Sequence, residues 1–222
     1  MFSTATQRLM ILSITSLKGG VGKSTISQNL AVCFAHAGYK TCICDVDTNQ
    51  SAIHWSGLRS EDAPAIPVFG WPDGIELSKN VKLISKDYEI IIIDGTPSLN
   101  RLTSKIILLA DLLLIPILPS GLDIWATKQF LERYHDAESE KEKSIPAYFL
   151  MNQFQPTTNM SKEVMEVLQE EQIPVLDTTI KTRTAYREAV VKGLGVVEYK
   201  DEKAKAEVVA LFNELTEIIK KL

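Results

Sequence analysis

Short apolar runs alternate along the chain with longer segments in which apolar residues recur at helical spacing. Some runs, such as residues 90–93, are apolar at every position, which is typical of strands covered on both faces. A regular alternation of strand and helix predicts an α/β fold: a mostly parallel, twisted sheet with helices on both faces, in three layers. The predicted strands are Leu9–Thr15, Thr41–Asp45, Glu89–Asp94, Asp111–Pro116, Pro146–Met151 and Pro174–Ile180. The predicted helices are Lys23–Ala37, Gln50–Ser60, Gly74–Lys86, Ser98–Leu109, Leu122–Ser139, Ser161–Glu171, Thr182–Val191 and Asp201–Leu222.

Length and composition narrow the class of protein. The chain has 222 residues, of which 45% are hydrophobic and 23% charged, so it can form a large core and is neither disordered nor fibrous. Its net charge of −4 argues against a protein that coats nucleic acid with its whole surface. We expect a single domain over residues 1–222, without a helix-turn-helix domain before residue 17, because only about one strand fits there. The polar start, the short apolar stretch after it and the odd number of cysteines predict a cytoplasmic protein without a signal peptide.

A glycine-rich segment lies between the first predicted strand and the first predicted helix. It reads Leu17-Lys18-Gly19-Gly20-Val21-Gly22-Lys23-Ser24-Thr25. Its glycines allow successive backbone N–H groups to point inward, and the helix start adds the positive end of its dipole, so the segment suits a polyphosphate. Lys23 can bridge the β- and γ-phosphates, and the Ser24 hydroxyl can ligate Mg²⁺. The alternative is a glycine-rich turn that merely ends a strand.

Carboxylates follow two of the predicted strands at the same edge of the sheet. Asp45 and Asp47 stand two positions apart on an extended segment, so they face the same way beside the glycine-rich loop. One of them can hold the hydration shell of Mg²⁺ while the other orients an attacking water. Asp94 ends the isoleucine run, which is the Walker B arrangement, with its carboxylate near the metal. The alternative is structural, since Asp47 or Asn49 can cap the next helix.

One departure from the common phosphate-loop pattern is informative. The pattern G-x-x-x-x-G-K-[ST] requires glycine at position 17, where this chain has leucine, and a second lysine, Lys18, comes directly before two glycines. The segment therefore resembles K-G-G-x-G-K-[ST], the deviant phosphate loop of the MinD/ParA group of ATPases. The resemblance implies the P-loop NTPase fold, the cofactors ATP and Mg²⁺, and a Lys18 that crosses a dimer interface to the other chain's phosphates, like an arginine finger. The alternative for Lys18 is a solvent-facing lysine.

The resemblance also assigns roles to individual residues. Asn152 follows the strand predicted over 146–151, where an asparagine of this group reads the adenine edge with one donor and one acceptor. A turn-forming asparagine is the alternative there. The cofactor-binding residues would be Lys18, Gly19, Gly20, Val21, Gly22, Lys23, Ser24, Thr25 and Asn152. The catalytic residues would be Lys18, Lys23 and Asp47, with Asp47 positioning the water, and the metal would be held by Ser24, Asp45 and Asp94.

Basic residues cluster around the helix predicted over 182–191. The cluster consists of Lys181, Arg183, Arg187 and Lys192. Such a local excess in an acidic protein suits sequence-independent DNA binding through phosphate contacts, and a solvated helix face explains it as well. The family resemblance favours DNA, because ParA proteins bind DNA non-specifically as ATP-bound dimers through basic residues of this C-terminal region.

The last predicted helix carries one apolar stripe. In MinD a C-terminal amphipathic helix anchors the protein to the membrane, and such helices favour a strongly basic polar face. The polar face here mixes glutamates with lysines. Packing against the core is therefore the better interpretation, and we expect no stable membrane association.

The resemblance extends from Met10 to the C-terminus and is to the short plasmid-partition ParA proteins of the ParF kind. It implies an ATPase that dimerises with ATP, binds non-specific DNA on the nucleoid, and hydrolyses ATP when a ParB-like centromere-binding protein stimulates it, which segregates a plasmid or chromosome. ParA-like positioning of a carboxysome, a chemoreceptor cluster or a pilus is an alternative, as is a MinD-like positioning ATPase at the membrane. An iron–sulfur carrier would need paired cysteines, but no cysteine follows Cys44, and a small-molecule kinase or ligase has no use for Lys18.

Overall fold

The structure is a computed structural model that describes residues 9–72, 74–98, 101–155, 164, 166, 168 and 173–222, with the backbone alone for 121–126. Its central sheet has six parallel strands in the order β3-β2-β4-β1-β5-β6. The strands are β1 Met10–Ile14, β2 Thr41–Asp45, β3 Val68–Gly70, β4 Ile90–Asp94, β5 Leu112–Ile117 and β6 Ala147–Met151.

Helices connect these strands and complete the chain after β6. The described helices are α1 Lys23–His36, α2 Ser51–Ser56, α3 Leu77–Ile84, α4 Arg101–Leu109, α5 Gly121–Lys141, α6 Thr184–Val190 and α7 Glu202–Ile219, with a 3₁₀ turn at Val196–Glu198. Each parallel pairing requires a crossover, and the helices provide it. The predicted α/β fold with a parallel sheet is therefore confirmed.

The isoleucine run of β4 shows why both faces of the sheet are covered. Successive side chains of a strand point to opposite faces. Ile90 and Ile92 pack in the core formed with α1 and α7, whereas Ile91 and Ile93 pack in the core formed with α3 and α4. All four are buried, so the strand has no solvent face and needs no polar alternation.

The last helix packs against this core, as expected. Asp201 caps it by accepting hydrogen bonds from the backbone N–H groups of Lys203 and Ala204. Its apolar stripe, which includes Leu211 and Leu215, is buried in the core shared with α1. Among the described residues, no helix is long and apolar enough to cross a membrane.

The strand predicted over 174–180 is wrong. This segment makes one isolated bridge to β6, between Phe149 and Val175, and a second bridge, between Phe154 and Lys181, lies just beyond both segments. The backbone N–H groups of Asp177 and Thr178 donate instead to the carboxylate of Glu214 on α7, at 2.7 and 2.9 Å. A helix side chain therefore interrupts the ladder that apolar content alone predicted.

The strand β3 was not predicted, because it is three residues long and follows a segment rich in proline. It pairs with β2 alone, as an edge strand. Two predicted helices are shorter than expected: α2 ends at Ser56, and α3 begins at Leu77, after Gly74 adopts a φ of 57°. The helix predicted over 161–171 lies mostly outside the described residues, although Val164 and Leu168 are helical and buried.

Candidate functional site

The glycine-rich loop joins the carboxyl end of β1 to α1, which begins at Lys23. Gly20 and Gly22 have φ values of 77° and 90°, which L side chains rarely adopt. A Cβ added at Gly19 or Gly20 would meet nothing within 4 Å, so this side of the loop faces open space. An open loop of this kind at a helix N-terminus can present backbone N–H groups to an anion.

Lys23 lies beneath this loop. Its side chain is buried, and Nζ donates a hydrogen bond to the backbone oxygen of Lys18 at 2.9 Å. Burial lowers the pKa of Lys23, while the charges of Asp94 and Asp47 oppose this shift. The lysine therefore connects the loop with the carboxylates that follow β2 and β4.

Asp94 ends β4 and lies opposite Asp45 in the parallel register. Its Oδ1 accepts a hydrogen bond from Ser27 Oγ at 3.1 Å, whereas Oδ2 has no hydrogen-bond partner among the described residues. Burial and the neighbouring Asp45 raise the pKa of Asp94 to about 7. The hydroxyls of Ser24 and Ser27 and the charge of Lys23 oppose this rise. A buried carboxylate oxygen without a partner is costly unless a proton, a cation or water satisfies it.

Both carboxylate oxygens of Asp45, which lies beside Asp94, accept hydrogen bonds from backbone N–H groups. Its Oδ1 accepts from the N–H of Asp47 at 3.1 Å. Its Oδ2 accepts from the N–H groups of Ala52 and Ile53 at 2.8 and 3.3 Å, so Asp45 caps the start of α2. Burial raises the pKa of Asp45, and these backbone hydrogen bonds oppose the rise.

Asp47 closes a turn in front of α2. Its Oδ1 accepts hydrogen bonds from the backbone N–H and the side-chain Nδ2 of Asn49, at 2.9 and 3.0 Å. The alternative that Asp47 or Asn49 caps α2 is wrong, because the residue before the helix is Gln50, which provides no side-chain cap, and Asp45 has that role. Asp47 remains close enough to Lys23 to influence its pKa.

The residues of this edge fit a nucleoside phosphate with Mg²⁺. The buried hydroxyl oxygens of Thr15 and Ser16, just before the loop, lack hydrogen-bond partners within the described part of the chain, as Asp94 Oδ2 does. The described residues contain no group of three or more His, Cys, Asp or Glu side chains that could hold a metal. Mg²⁺ is commonly bound through one or two carboxylates, substrate phosphates and water. Ser24 and Asp94 are therefore the residues that would hold it, with Asp45 beside them.

Lys18 is half-buried, and its side chain has a partner within its own chain. Its Nζ donates a hydrogen bond to Ser120 Oγ at 3.2 Å, and Ser120 is the residue before α5. The glycine-rich loop, the end of β5 and α5 line one small pocket between them. Lys18 thus contacts its own chain here, and its contact across a dimer stays a prediction.

Asn152 braces the glycine-rich loop from the other side. Its Nδ2 donates to the backbone oxygen of Val21 at 2.7 Å, and its Oδ1 accepts from the N–H of Gln153 at 2.9 Å. A Cβ at Gly22 would lie 2.3 Å from Nδ2, so this close approach requires glycine there. Both polar groups that were predicted to read a base therefore contact the protein's own backbone.

A pocket of about 100 Å³ extends from Gly22 and Asn152 to the segment before α6. Side chains of α1, of that segment and of α7 give it apolar walls: Ile26, Ile180, Val208 and Leu211. An apolar pocket with a few polar groups, placed beside a loop that suits phosphates, can take the nucleoside end of a nucleotide.

The basic residues predicted to bind DNA do not form one exposed patch. Lys181, Arg183 and Arg187 line the pocket just described. Arg183 is paired with Glu207 of α7, with Nη2 2.6 Å from Oε1. Lys192 lies beyond the end of α6, with its Nζ 5.1 Å from the ring centre of Tyr199. An acid distant in sequence therefore neutralises part of the positive charge of this cluster.

Two residues of the site were missing from the predicted set, Ser27 and Glu207. Ser27 lies one helical turn after Lys23, and its hydroxyl lies within hydrogen-bond distance of both the backbone oxygen of Lys23 and Asp94 Oδ1. That helical spacing is a signal that could have identified it, because residues four apart share one face of a helix. Glu207 gave no such signal, since its sequence position indicates only the polar face of the last helix.

The fold and the glycine-rich loop together define a P-loop nucleotide-binding protein. The chain belongs to the CobQ/CobB/MinD/ParA nucleotide binding domain family, whose model matches residues 12–196. Membership in the ParA/MinD group was predicted and is confirmed, while the likeness to the ParF kind stays a prediction. This family is a nucleotide-binding one, which agrees with the phosphate-binding geometry of the glycine-rich loop.

Individual relatives support the same class. The chain is 32% identical over 196 residues to maintenance of carboxysome distribution protein A of Halothiobacillus neapolitanus, covering 87% of this chain and 89% of that protein. It is 27% identical over 221 residues to protein ParA of Rhizobium radiobacter, covering 95% and 99%. Its fold is similar to that of the septum site-determining protein MinD of Pyrococcus horikoshii complexed with Mg-ADP, with a TM-score of 0.79, 18% identity, and coverage of 95% of this chain and 97% of that chain.

Proposed function

We propose that the protein is a ParA-type ATPase that binds ATP with Mg²⁺, forms a homodimer around the nucleotide and hydrolyses it. The observation that carries the proposal is that a second lysine, Lys18, stands directly before the first glycine of the glycine-rich loop. The backbone oxygen of Lys18 accepts a hydrogen bond from Lys23 Nζ at 2.9 Å, so this bond links the two lysines directly. A lysine in this position can serve a second chain's nucleotide when two such loops face each other.

Each residue of the site has a role in this scheme. The backbone N–H groups of the loop and Lys23 would bind the β- and γ-phosphates, and Asp47 would orient the attacking water. Ser24 and Asp94 would hold Mg²⁺, which when bound neutralises charge that develops on the phosphates. Lys18 of the second chain would add a further positive charge at the same place.

The output of this ATPase would be non-specific DNA binding by the dimer, on the nucleoid in the cytoplasm. Lys181, Arg187 and Lys192 support this part, because their side chains are exposed and can contact phosphates. A ParB-like centromere-binding protein would stimulate hydrolysis and release the dimer from DNA. The cargo would be a plasmid or a chromosome.

A second cargo has a specific observation in its favour. The relative at 32% identity is named for carboxysome distribution, and the match covers 89% of its length. The same ATP-dependent cycle would then distribute a protein-shelled body over the nucleoid, with a different stimulating partner. The ATPase chemistry is the same for both cargoes.

The test is the substitution Lys18→Gln, measured as ATP hydrolysis with and without DNA and as ATP binding by calorimetry. We expect hydrolysis to be lost while ATP still binds, because the loop and Lys23 are intact. The matched control is Lys86→Gln, an exposed lysine near the amino ends of the strands, which should hydrolyse ATP at the rate of the unmodified protein. Unchanged turnover in Lys18→Gln would remove the proposed role of this lysine.

Light scattering in a non-hydrolysable ATP analogue tests the dimer directly. A chain of 24.7 kDa should give twice that mass with the analogue and Mg²⁺, and the monomer mass without them. A monomer at saturating analogue would contradict the proposed homodimer.

A further inference from the structure

The carboxylate of Glu207, on the last helix, fixes the segment that closes the pocket beside the glycine-rich loop. Its Oε2 accepts from the backbone N–H of Lys181 at 3.2 Å and from the hydroxyl of Tyr186 at 3.1 Å. Its Oε1 accepts from Nε and Nη2 of Arg183, at 3.0 and 2.6 Å. One acid thus holds the backbone before α6, a side chain of α6 and the arginine between them.

This pairing sets what Arg183 can bind. The Arg183 and Glu207 side chains are only 21% and 12% exposed, and Glu207 offsets the guanidinium charge. Hydrogen bonding to Glu207 also raises the pKa of Arg183. A neutralised, half-buried arginine is a poor contact for a DNA phosphate, because that contact depends on exposed positive charge. Its planar guanidinium, held rigid at the pocket wall, is well suited to pack on an aromatic ring.

The neighbouring basic residues differ from Arg183 in this respect. Lys181 and Arg187 also line the pocket, but their side chains are exposed, and Lys192 lies at the far end of α6. The basic residues of this region therefore divide into one arginine committed to the pocket and others that remain available to DNA.

We propose that Arg183 contacts the base of the bound nucleotide rather than DNA, and that Glu207 is the positioning residue that holds it there. The inference rests on the proposed ATP binding and names a specificity-determining pair for its nucleoside end. The phosphate end is held by a different element, the loop before α1, so the two ends can be tested separately.

The experiment compares the binding of ATP and of inorganic tripolyphosphate by calorimetry, with Mg²⁺ present. In Glu207→Gln and Arg183→Ala, we expect the affinity for ATP to fall about tenfold, because the packing of the guanidinium on the base is lost, while tripolyphosphate binds as before. Arg183→Lys should resemble Arg183→Ala, since lysine keeps the charge but lacks the plane and the fork.

The matched control is Glu214→Gln on the same helix. Glu214 also accepts backbone hydrogen bonds, from Asp177 and Thr178, but it does not line the pocket. A purely structural effect of losing a glutamate from α7 would appear equally in Glu214→Gln, and in the affinity for tripolyphosphate as well as ATP. We expect neither affinity to change in this control.

DNA affinity, measured on the same variants, tests the alternative that Arg183 contacts DNA. If Arg183→Ala weakens DNA binding while Arg183→Lys restores it, and both bind ATP as the unmodified protein does, the inference is overturned and Arg183 is a DNA contact. A purely structural effect, with Glu207→Gln losing ATP and tripolyphosphate alike, overturns the positioning role of Glu207. If the unmodified protein binds neither ATP nor tripolyphosphate, the proposed function itself fails, which is a separate result.

Discussion

The protonation of Asp94 gives a stability test of the site in the absence of nucleotide. Asp94 is fully buried, and its pKa is raised to about 7 by burial and by Asp45. In an unfolded chain the pKa of an aspartate is about 3.9. Between these two values the folded protein holds a proton that the unfolded chain has lost. The free energy of unfolding should therefore fall as the pH rises from about 4 to 7, and this contribution should level off above pH 7.

The size of the effect follows from the two pKa values. Each unit of difference corresponds to about 1.4 kcal/mol, so the full contribution is about 4 kcal/mol, as an order of magnitude. Between pH 5 and pH 8, where the assay is practical, about 2.5 kcal/mol of it should be lost. This is a large fraction of the stability of a typical domain.

The assay is urea denaturation at a series of pH values from 5 to 8, followed by circular dichroism. Asp94→Asn cannot lose a proton, so its unfolding free energy should show a pH dependence that is weaker by this amount. Asp177→Asn, which changes an exposed aspartate, is the control and should keep the slope of the unmodified protein. Equal slopes for Asp94→Asn and the unmodified protein would show that Asp94 is ionised throughout and that the reasoning from burial is wrong.

The part of the site that the sequence could predict is the part encoded locally. The loop residues 18–25 stand next to each other, and their backbone conformation depends on their own glycines. Asp45 and Asp94 could be placed together because parallel strands bring their carboxyl ends to one edge, and the register pairs these two residues. Nothing beyond strand order was needed to bring them beside the loop.

The part that could not be predicted depends on contacts between distant segments. Asp45 was predicted to be a metal ligand, and the structure adds that its Oδ2 accepts hydrogen bonds from two backbone N–H groups of α2, several residues further along the chain. Glu207 pairs with Arg183, which lies 24 residues earlier, and so neutralises a charge that the sequence presents as free. Glu214 accepts backbone hydrogen bonds from the segment predicted as a strand, which makes only an isolated bridge to β6. In each case several backbone and side-chain donors lie within reach of a carboxylate, and the packing of α7 and α2 determines which of them it contacts. Apolar periodicity specifies that these helices pack, but not which donor each acid meets.

Two further substitutions test how the loop and α2 are held. In Gly22→Ala, the new Cβ would lie 2.3 Å from Asn152 Nδ2 at a φ of 90°, so the loop must shift, and calorimetry should show ATP binding weakened about tenfold or more. The second substitution, Trp55→Phe, removes the indole N–H that donates to the backbone oxygen of Leu194 at 3.2 Å, while an aromatic ring remains. The carbonyl oxygen of Leu194 would lose its donor, and because Trp55 is 1% exposed, the smaller ring would leave a cavity. Urea denaturation followed by circular dichroism should therefore show a loss of about 1–3 kcal/mol in the free energy of unfolding. A Trp55→Phe protein as stable as the unmodified one would mean that this bond does not hold α2 to the segment after α6.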